Sequence, residues 1–431
     1  MWVDKPYVPP ELFWGEIISY QFPANLRKDR GKYCVTVQLE FASGKTANKQ
    51  YGCYTSIKAA KTAQSIISGK LHTKTFVPFD VTLHDFLNYW LYYIAYEKYT
   101  QNTFYCYRNI ICNYIIPQTS SNLYLCDITS HHIVDFVKKL NLSAALYKCF
   151  KGAMYSAAKI ARLNNLTATN PVPTAFRILN RYYTDMAKES CTVQEPQSSP
   201  IFEKEEVLLL LNTAKWQDNW VFIPLLLSSC LGLRISEALA VKFADISVMP
   251  RNGISGKTIH ISRQVGKDHR LDIQGAGSCI PPKSKYSDRI IPLPEFVYSE
   301  LLLASQRTKL FFANHPSLED HDFITVNSSG IPYSKSQAYR EYKKMLELSN
   351  LPKLPWHTLR HSYCTFLSID GNIGLKMLSR AMGHASTQFT NRVYVSHKQP
   401  ILDAKTTMDL FYEEIKPKGE DIDIYLQSIE K

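Results

Sequence analysis

Residue types alternate with period two over residues 32–41 (K-Y-C-V-T-V-Q-L-E-F), and this alternation predicts a β-strand. A Ser-Gly turn at residues 43–44 and a second extended segment ending near Tyr54 follow it. Thr55 and Ser56 are suited to cap a helix with the sequence S-I-K-A-A-K-T-A-Q-S-I-I-S, which stops at Gly69. Residues 1–74 therefore predict a small α+β domain in which a three-stranded sheet packs on one helix.

From Thr82 the apolar residues recur every three or four positions, which is typical of amphipathic helices. The first such helix places on one side Leu83, Phe86, Leu87, Trp90 and Leu91. Further helices are predicted over residues 103–115, 129–140 and 143–163, and an Asn-Pro pair at 170–171 is expected to close the set. Residues 75–183 thus predict an all-α domain, and the polar, proline-containing residues 184–200 predict a linker.

From Ile201 the pattern mixes helices with short strands. Helices are predicted at F-E-K-E-E-V-L-L-L-L-N and W-V-F-I-P-L-L-L, and again from Glu295, Ser334, Thr358 and Ile373. Two strands, over residues 257–263 and 287–293, flank a long glycine-rich excursion. The apolar run 221–233 is too short to span a bilayer and predicts a buried core helix. Residues 201–408 therefore predict a mixed α+β domain, followed by a tail over 409–431.

Charge is distributed unevenly along the 431 residues. The formal net charge is +12, which favours polyanionic partners, nucleic acid above all. Residues 1–75 hold eleven Lys/Arg against five Asp/Glu, whereas residues 401–431 hold four against eight. The basic first domain is therefore a candidate DNA-binding module, although its charges also fit a solvated basic surface. Its candidate DNA contacts are Arg27, Lys28, Arg30, Lys32, Lys45 and Lys49.

The ten cysteines lie scattered through the chain, without a C-x-x-C pair or a histidine at zinc-ligand spacing. In a chain of this length, that pattern predicts buried free thiols in a reducing compartment and neither a disulfide framework nor a metal site. The N-terminal residues M-W-V-D-K-P-Y lack the apolar core of a signal peptide. We therefore expect a cytoplasmic protein with no membrane partner.

Candidate chemistry is concentrated in the third domain. Arg234 opens the helix R-I-S-E-A-L-A-V, and Glu237 three residues later lies on the same face, where a carboxylate can orient the guanidinium toward a phosphate. In H-T-L-R-H, the side chains of His357, Arg360 and His361 share one helical stripe, which suits an anion site. For Arg234 and Glu237, the alternative is a purely structural ion pair. For H-T-L-R-H, the alternative is one core histidine beside two surface residues.

Two later features carry little information when taken singly. Gly383 precedes His384 and allows a tight turn or a close backbone approach, while Tyr394 by itself is most simply a packing tyrosine. The specific signal is the order and spacing of the whole set: L-R-x-S-E, H-x-L-R-H, G-H, and a tyrosine ten residues after that histidine.

This set resembles the active site of the tyrosine recombinases, the phage-integrase family. Residues 75–183 resemble that family's helical core-binding domain, and residues 1–74 resemble, more loosely, its arm-type DNA-binding domain, as in integrases of temperate phages and conjugative transposons. The segment P-P-K-S-K-Y-S-D-R-I-I-P-L-P resembles the family's P-K-T-x-x-S-x-R-x-I-P-L. Thr358 stands where the family often has aspartate, and M-G-H where L-G-H is commoner, but neither departure removes a catalytic group.

The resemblance implies a role for each catalytic residue. Arg234 and Arg360 would clamp the nonbridging oxygens of a DNA phosphodiester, and His357 and His384 would donate further hydrogen bonds. Tyr394 would attack phosphorus, leaving a 3′-phosphotyrosine and a free 5′-hydroxyl. Lys283 would protonate the leaving oxygen, with Lys285 as a rival and Lys267 as a more distant one. Glu237 and His361 would support this set.

The same resemblance implies a C-shaped clamp around double-stranded DNA, a homotetramer on its sites, and accessory excision or bending factors. No cofactor or metal is expected, because the covalent link conserves the energy of the phosphodiester. The expected function is integration and excision of a mobile element. The alternatives are a chromosome-dimer-resolving recombinase, a type IB topoisomerase, and a DNA-binding protein without catalysis. We further expect the tail 409–431, which has apolar residues at helical spacing, to dock on a neighbouring protomer.

Overall fold

A computed structural model describes residues 5–189, 200–248, 256–273, 275–282, 284, 286–369 and 375–383. Within it the chain divides near residue 195 into two compact units, each of which is described separately. Among the described residues, no helix has both the length and the apolar character needed to cross a membrane. In the same residues, no cluster of three or more His, Cys, Asp or Glu is arranged to hold a metal ion.

The first unit begins with a four-stranded antiparallel sheet that packs on one helix. The strands are β1 (Ile17–Gln21), β2 (Arg27–Asp29), β3 (Lys32–Phe41) and β4 (Thr46–Tyr54), and the helix is α1 (Ile57–His72). Ser56 caps α1 by accepting from the Ala59 amide at 3.2 Å. The prediction of three strands was wrong by one, because β1 and β2 pair with different halves of the same edge of β3.

The apolar alternation of β3 fixes which face of the sheet is buried. Val35, Val37, Leu39 and Phe41 point inward and are at most 1% exposed, and they pack with Ala60, Ile67 and Leu71 of α1. The residues between them on β3 face outward. The confirmed strand therefore has one apolar face and one polar face, as the period-two pattern predicts.

Cys34 and Cys53 lie opposite each other on β3 and β4 and form a disulfide, with a Cα–Cα distance of 4.0 Å. The prediction of free thiols was therefore wrong for this pair, because strand register brings together two cysteines that are 19 residues apart in sequence. Among the other described cysteines, Cys230 and Cys364 are buried, whereas Cys106 and Cys126 are exposed.

The rest of the first unit is helical. Its elements are α2 (Leu83–Tyr89), a π-helical turn (Trp90–Ala95), α3 (Tyr96–Lys98), α4 (Gln101–Ile110), a second π-helical turn (Ile111–Ile115), α5 (Ser130–Leu140), α6 (Ala144–Leu163) and α7 (Val172–Glu189). Thr82, Thr129 and Ser143 cap α2, α5 and α6 at the positions where the sequence predicts helix starts. Trp90, Leu91 and Phe104 are central to this helical core.

The Asn170-Pro171 pair begins a helix, and the prediction that it ends the helical set was wrong. Asn170 Oδ1 accepts from the Val172 amide at 3.1 Å, and Pro171 needs no amide partner at the start of α7. Because α7 extends to Glu189, residues 184–189 are helical and not part of a linker. Residues 190–199 of the predicted linker lie outside the described residues.

The sheet module and the helices of the first unit pack on each other. The N-terminal residues Val8 and Leu12 are buried in the helical core, and Phe79 contacts Trp14 and Phe41 of the sheet module. Asn165 accepts a hydrogen bond from the amide of Ile17 in β1 at 3.1 Å. Residues 5–74 thus form one structural unit with the helices that follow.

The second unit surrounds an apolar core with α8 (Lys204–Trp216), α9 (Phe222–Cys230) and α10 (Ile235–Ala238). Its strands are β5 (Ile246–Ser247), β6 (Thr258–Ile261), β7 (Gln264–Val265), β8 (Cys279–Ile280) and β9 (Arg289–Pro292). They form an antiparallel β5-β6-β9 sheet and a β7-β8 hairpin. The remaining helices are α11 (Glu295–Asn314), α12 (Lys335–Leu348), α13 (His357–Ile369) and α14 (Leu375–Ala381).

Helix α9 is the buried core helix predicted from the apolar run 221–233, since all nine of its residues are buried. It packs against α8, α10, α11 and α13. Helices α10 and α13, which carry the predicted arginines, are thereby fixed on a common support.

Candidate active site

Arg234 lies at the N-terminus of α10, and its side chain is bound to Glu237 as predicted. Nη1 donates to Glu237 Oε1 at 2.6 Å, while the backbone amide of Arg234 donates to Oε2 at 3.1 Å. Arg234 is one-third exposed, whereas Glu237 is 2% exposed. The buried carboxylate therefore fixes a guanidinium that still reaches solvent.

Helix α13 begins at His357 and brings Arg360 to the same place. Arg360 is 2% exposed, donates from Nη1 to the Gly232 carbonyl at 2.6 Å, and donates from Nη2 to the Met382 carbonyl. Its Nη1 lies 4.0 Å from Glu237 Oε2. The two predicted arginines thus share one carboxylate, although 126 positions separate them in the chain.

A third arginine, Arg289 of β9, completes the cluster and is not among the predicted site residues. Its Nη2 donates to Glu237 Oε2 at 3.0 Å, and its side chain is 6% exposed. The available signal was the arginine of the matched R-x-I-P-L pattern, which was interpreted only as part of a strand. Three guanidinium groups face one carboxylate, so the described part of the site carries two positive charges beyond neutrality.

Burial alone would raise the pKa of the Glu237 carboxyl, but Arg289, Arg234 and Arg360 together lower it to about 2. Burial, Arg234 and Arg289 lower the pKa of Arg360 to about 9, so this guanidinium stays protonated at neutral pH. The cluster is therefore a fixed cationic site, with its single carboxylate ionised across the physiological range.

His357 and His361 stand one helical turn apart, and their ring centroids are 4.6 Å apart. Partial burial of the ring, followed by the effects of His361 and Arg360, lowers the pKa of His357 to about 4. Burial and Arg360 also lower the pKa of His361. A neutral imidazole at His357 can donate one hydrogen bond and accept another at neutral pH.

Four predicted site residues lie outside the described residues: Lys283, Lys285, His384 and Tyr394. Residues next to Lys283, Lys285 and His384 in the chain do lie at the cluster. Ser287 Oγ is 3.5 Å from Arg234 Nη1 and 3.2 Å from Ser284 Oγ. Gly383 has φ +64°, and a Cβ there would lie 3.1 Å from the Tyr286 carbonyl oxygen. The tight turn and close approach predicted for Gly383 are therefore present, while Lys267 follows β7 in the β7-β8 hairpin.

The predicted DNA contacts of the first unit are not grouped as one patch. Arg27, Lys28, Arg30 and Lys32 are exposed around the β2-β3 hairpin, whereas Lys45 lies at the opposite end of β3. Lys49 is half-buried, and its Nζ lies 4.6 Å from the centroid of the Phe79 ring. The structure therefore groups four of the six residues.

Residues 201–400 match the model of the phage integrase family. A XerC-like tyrosine recombinase of Caldanaerobacter subterraneus is 25% identical over 405 residues, which cover 88% of this chain and 96% of that protein. An integrase of a Staphylococcus phage is 26% identical over 332 residues, covering 73% of this chain and 88% of that protein.

A solved structure of the Tn1549 transposon integrase in complex with circular intermediate DNA has a similar fold. Its TM-score is 0.53 at 19% identity, and the match covers 74% of this chain and 96% of that one. Residues 201–400 thus form a phage integrase family domain, and the chain is similar over most of its length to tyrosine recombinases and integrases.

Proposed function

We propose that this recombinase integrates and excises a mobile genetic element by cleaving and rejoining double-stranded DNA at specific sites. The observation that carries the proposal is the fixed cationic cluster around Glu237, since it has the charge needed to hold a phosphodiester whose negative charge grows during cleavage. Arg234 is the most exposed of the three arginines, at 33%, and makes the first contact with the nonbridging oxygens.

The covalent step follows from the residue roles. Tyr394 gives up its phenolic proton to solvent and attacks phosphorus, the bond to the 5′-oxygen breaks, and Lys283 gives that oxygen a proton, which the lysine regains from solvent. Lys285 and Lys267 are the rival acids. His357 and His384 hydrogen bond to the phosphoryl oxygens, and His361 supports His357. A 5′-hydroxyl of another strand then attacks the 3′-phosphotyrosine and restores a phosphodiester. The bond count is conserved, so no ATP is consumed.

The first unit would read DNA sites apart from the site of cleavage. On the outer face of its sheet Gln21, Gln38 and Asn48 lie directly opposite one another on β1, β3 and β4, and all three are exposed. Side-chain amides suit the edges of bases, while Arg27 and Lys28 suit phosphates. The units would enclose the duplex as a C-shaped clamp, and four protomers would assemble on two sites, with the tail 409–431 docking between them.

Resolution of chromosome dimers is the second candidate function, favoured by the XerC-like relative that matches most of the chain. The two candidates differ in the DNA that is cleaved. An element integrase acts at the ends of the element, whereas a dimer-resolving enzyme acts at one chromosomal site. A topoisomerase would cleave without site preference.

Covalent capture separates these possibilities. Purified protein and its Tyr394→Phe variant are incubated in EDTA with nicked duplex fragments of DNA from the source organism. The protein is then isolated under denaturing conditions, and the DNA covalently attached to it is sequenced. We expect adducts from the wild type alone, joined at the 3′ side of the break and clustered at the ends of an element. Clustering at one chromosomal site would favour dimer resolution, and specific binding without adducts would contradict catalysis.

A further inference from the structure

Arg289 contacts three of the segments that meet at the cationic cluster. Nη2 donates to Glu237 Oε2 at 3.0 Å, Nη1 to the Ser287 carbonyl at 3.0 Å, and Nε to the Ala381 carbonyl at 2.7 Å. Glu237 belongs to α10, which begins after Arg234. Ser287 follows the predicted acids Lys283 and Lys285 in the chain, and Ala381 is the last residue of α14, three positions before His384.

These contacts leave Arg289 little freedom to act on DNA directly. Its side chain is 6% exposed, and all three of its nitrogen atoms donate to acceptors within the protein. Gly383 packs on the same side chain, because a Cβ at that glycine would lie 3.3 Å from Arg289 Cδ. The guanidinium is therefore built into the frame of the site.

The neighbouring groups show why an arginine is needed here. Two backbone carbonyls and one buried carboxylate converge from three directions, and a planar guanidinium can donate to all of them at once. A lysine ammonium would keep the charge beside Glu237 but, as a compact group, would not span all three acceptors. The arrangement thus depends on the shape of the side chain as well as on its charge.

We propose that Arg289 is a positioning residue that holds Arg234, the backbone at Ser287 and the C-terminal end of α14 in one register for strand cleavage. This inference rests on the proposed function. Arg289 acts through Glu237 and the backbone of the two segments, and it does not touch the reacting phosphate.

The test is single-turnover formation of the covalent adduct on a nicked duplex recovered in the capture experiment described above. Arg289→Gln removes the charge and the fork, whereas Arg289→Lys removes only the fork. We expect both variants to bind the duplex within about threefold of the wild-type Kd, because the residue is buried. We expect cleavage to slow at least tenfold in the lysine variant and further in the glutamine variant.

The pH dependence adds a readout that a general loss of stability would not move. Among the described residues, the charged and titratable groups facing Glu237 are Arg234, Arg289, Arg360 and His357. Loss of the Arg289 charge raises the pKa of Glu237, so this carboxylate becomes protonated at a higher pH. As the pH is lowered, Arg289→Gln should therefore lose cleavage activity earlier than the wild type or Arg289→Lys. His357 titrates in all three proteins, so the difference between them reports on Glu237.

Lys215→Gln is the matched control, because Lys215 forms a partly buried ion pair with Glu300 in the same unit, at 2.6 Å. It should cleave at the wild-type rate with an unchanged pH profile. Arg289 variants that cleave like the wild type would overturn the inference. If the glutamine variant does not fold, the lysine variant decides alone, and a wild-type rate overturns the inference. Absence of any adduct from the wild type would instead contradict the proposed function.

Discussion

Arg360, the second arginine of the site, donates a hydrogen bond to the carbonyl of Gly232 at 2.6 Å. Gly232 lies two residues before Arg234, the first arginine, so this bond holds the two arginines close together. Gly232 has φ +63°, a backbone conformation that favours glycine. A Cβ at this position would lie 2.6 Å from Tyr363 Cδ1 and 2.8 Å from Met382 Sδ. The glycine of L-G-L-R therefore lets α13 approach the start of α10.

Gly232→Ala should therefore destabilise the second unit and slow cleavage. Backbone strain and overpacking each cost about 1–3 kcal/mol, so we expect the free energy of unfolding to fall by about 2–6 kcal/mol. Urea denaturation monitored by tryptophan fluorescence measures this change. Gly256→Ala is the control, because Gly256 also has positive φ but no atom of the described residues lies within 4 Å of its Cβ position. Equal losses in the two variants would contradict the role of close packing.

Glu237→Gln should destabilise the protein more than a comparable change in a less buried ion pair. Removing one partner of a buried pair typically costs about 3–5 kcal/mol, and Glu237 faces three guanidinium groups. Glu300→Gln, which disrupts the pair with the partly exposed Lys215, should cost about 1 kcal/mol or less. Denaturation of both variants at pH 7 gives the comparison, and a smaller loss for Glu237→Gln would contradict the cluster's energetic role.

Acid denaturation should also reveal Glu237. Its pKa is lowered from 4.5 to about 2 in the folded protein, so its stabilising contribution is present above pH 4.5 and is lost as the pH falls toward 2. Glu237→Gln removes that group, so the variant's free energy of unfolding should fall less between pH 4.5 and 3 than that of the wild type. Parallel pH curves for the two proteins would show that the carboxyl titrates normally.

Features encoded in a few neighbouring residues were predictable from the sequence. The caps at Thr129 and Ser143 set the starts of α5 and α6, and the spacing of His357 and Arg360 placed both on α13. The Arg234–Glu237 contact also follows from helical spacing. Each of these depends on local hydrogen bonds or on the helical repeat, which a single sequence displays directly.

Features that depend on distant segments were not predictable. Arg289 reaches Glu237 across 52 positions, and nothing in the strand pattern around it indicates which side chain it will meet. The Cys34–Cys53 disulfide depends on the register of β3 against β4. At Asn170 the error was local: Asn-Pro is compatible with both the end and the start of a helix, and only the capping bond to Val172 distinguishes them.

His357 should remain neutral at pH 7 in the free protein. Its pKa is lowered from 6.5 to about 4, although more than a third of the residue is exposed. Because water screens the neighbouring charges, we expect a measured pKa between these two values. Histidine-selective NMR over pH 4–8, assigned with His357→Asn, tests this, and a pKa of 6.5 or above would contradict it.

The lowered pKa of His357 makes the folded protein less stable below pH 6.5. As the pH falls below 6.5, the unfolded chain takes up a proton at His357 before the folded protein does, so the free energy of unfolding decreases. His361→Ala removes the second-largest cause of the lowered pKa and should raise the pKa of His357 in the same NMR titration. An unchanged value would show that His361 has no influence on its neighbour.

Asn165 should determine how firmly the sheet module packs on the helices of the first unit. It is 4% exposed with φ +56°, and its side chain accepts from the Ile17 amide at 3.1 Å and donates to the Lys74 carbonyl at 3.4 Å. Asn165→Gly keeps the backbone conformation and removes only these bonds, at an expected cost of about 1–3 kcal/mol. Asn165→Ala adds backbone strain and should cost about 1 kcal/mol more.

Hydrogen exchange locates this effect, since loss of the Asn165 bond should speed exchange of the Ile17 amide and its neighbours in β1 before the helical core is affected. Arg162 also donates to the Lys74 carbonyl, so the second contact is partly retained in either variant. If β1 exchanged at the wild-type rate in both variants, the apolar contacts of Phe79 with Trp14 and Phe41 would be sufficient to hold the module. Faster exchange confined to β1 would instead show that one buried amide joins the sheet to the helices.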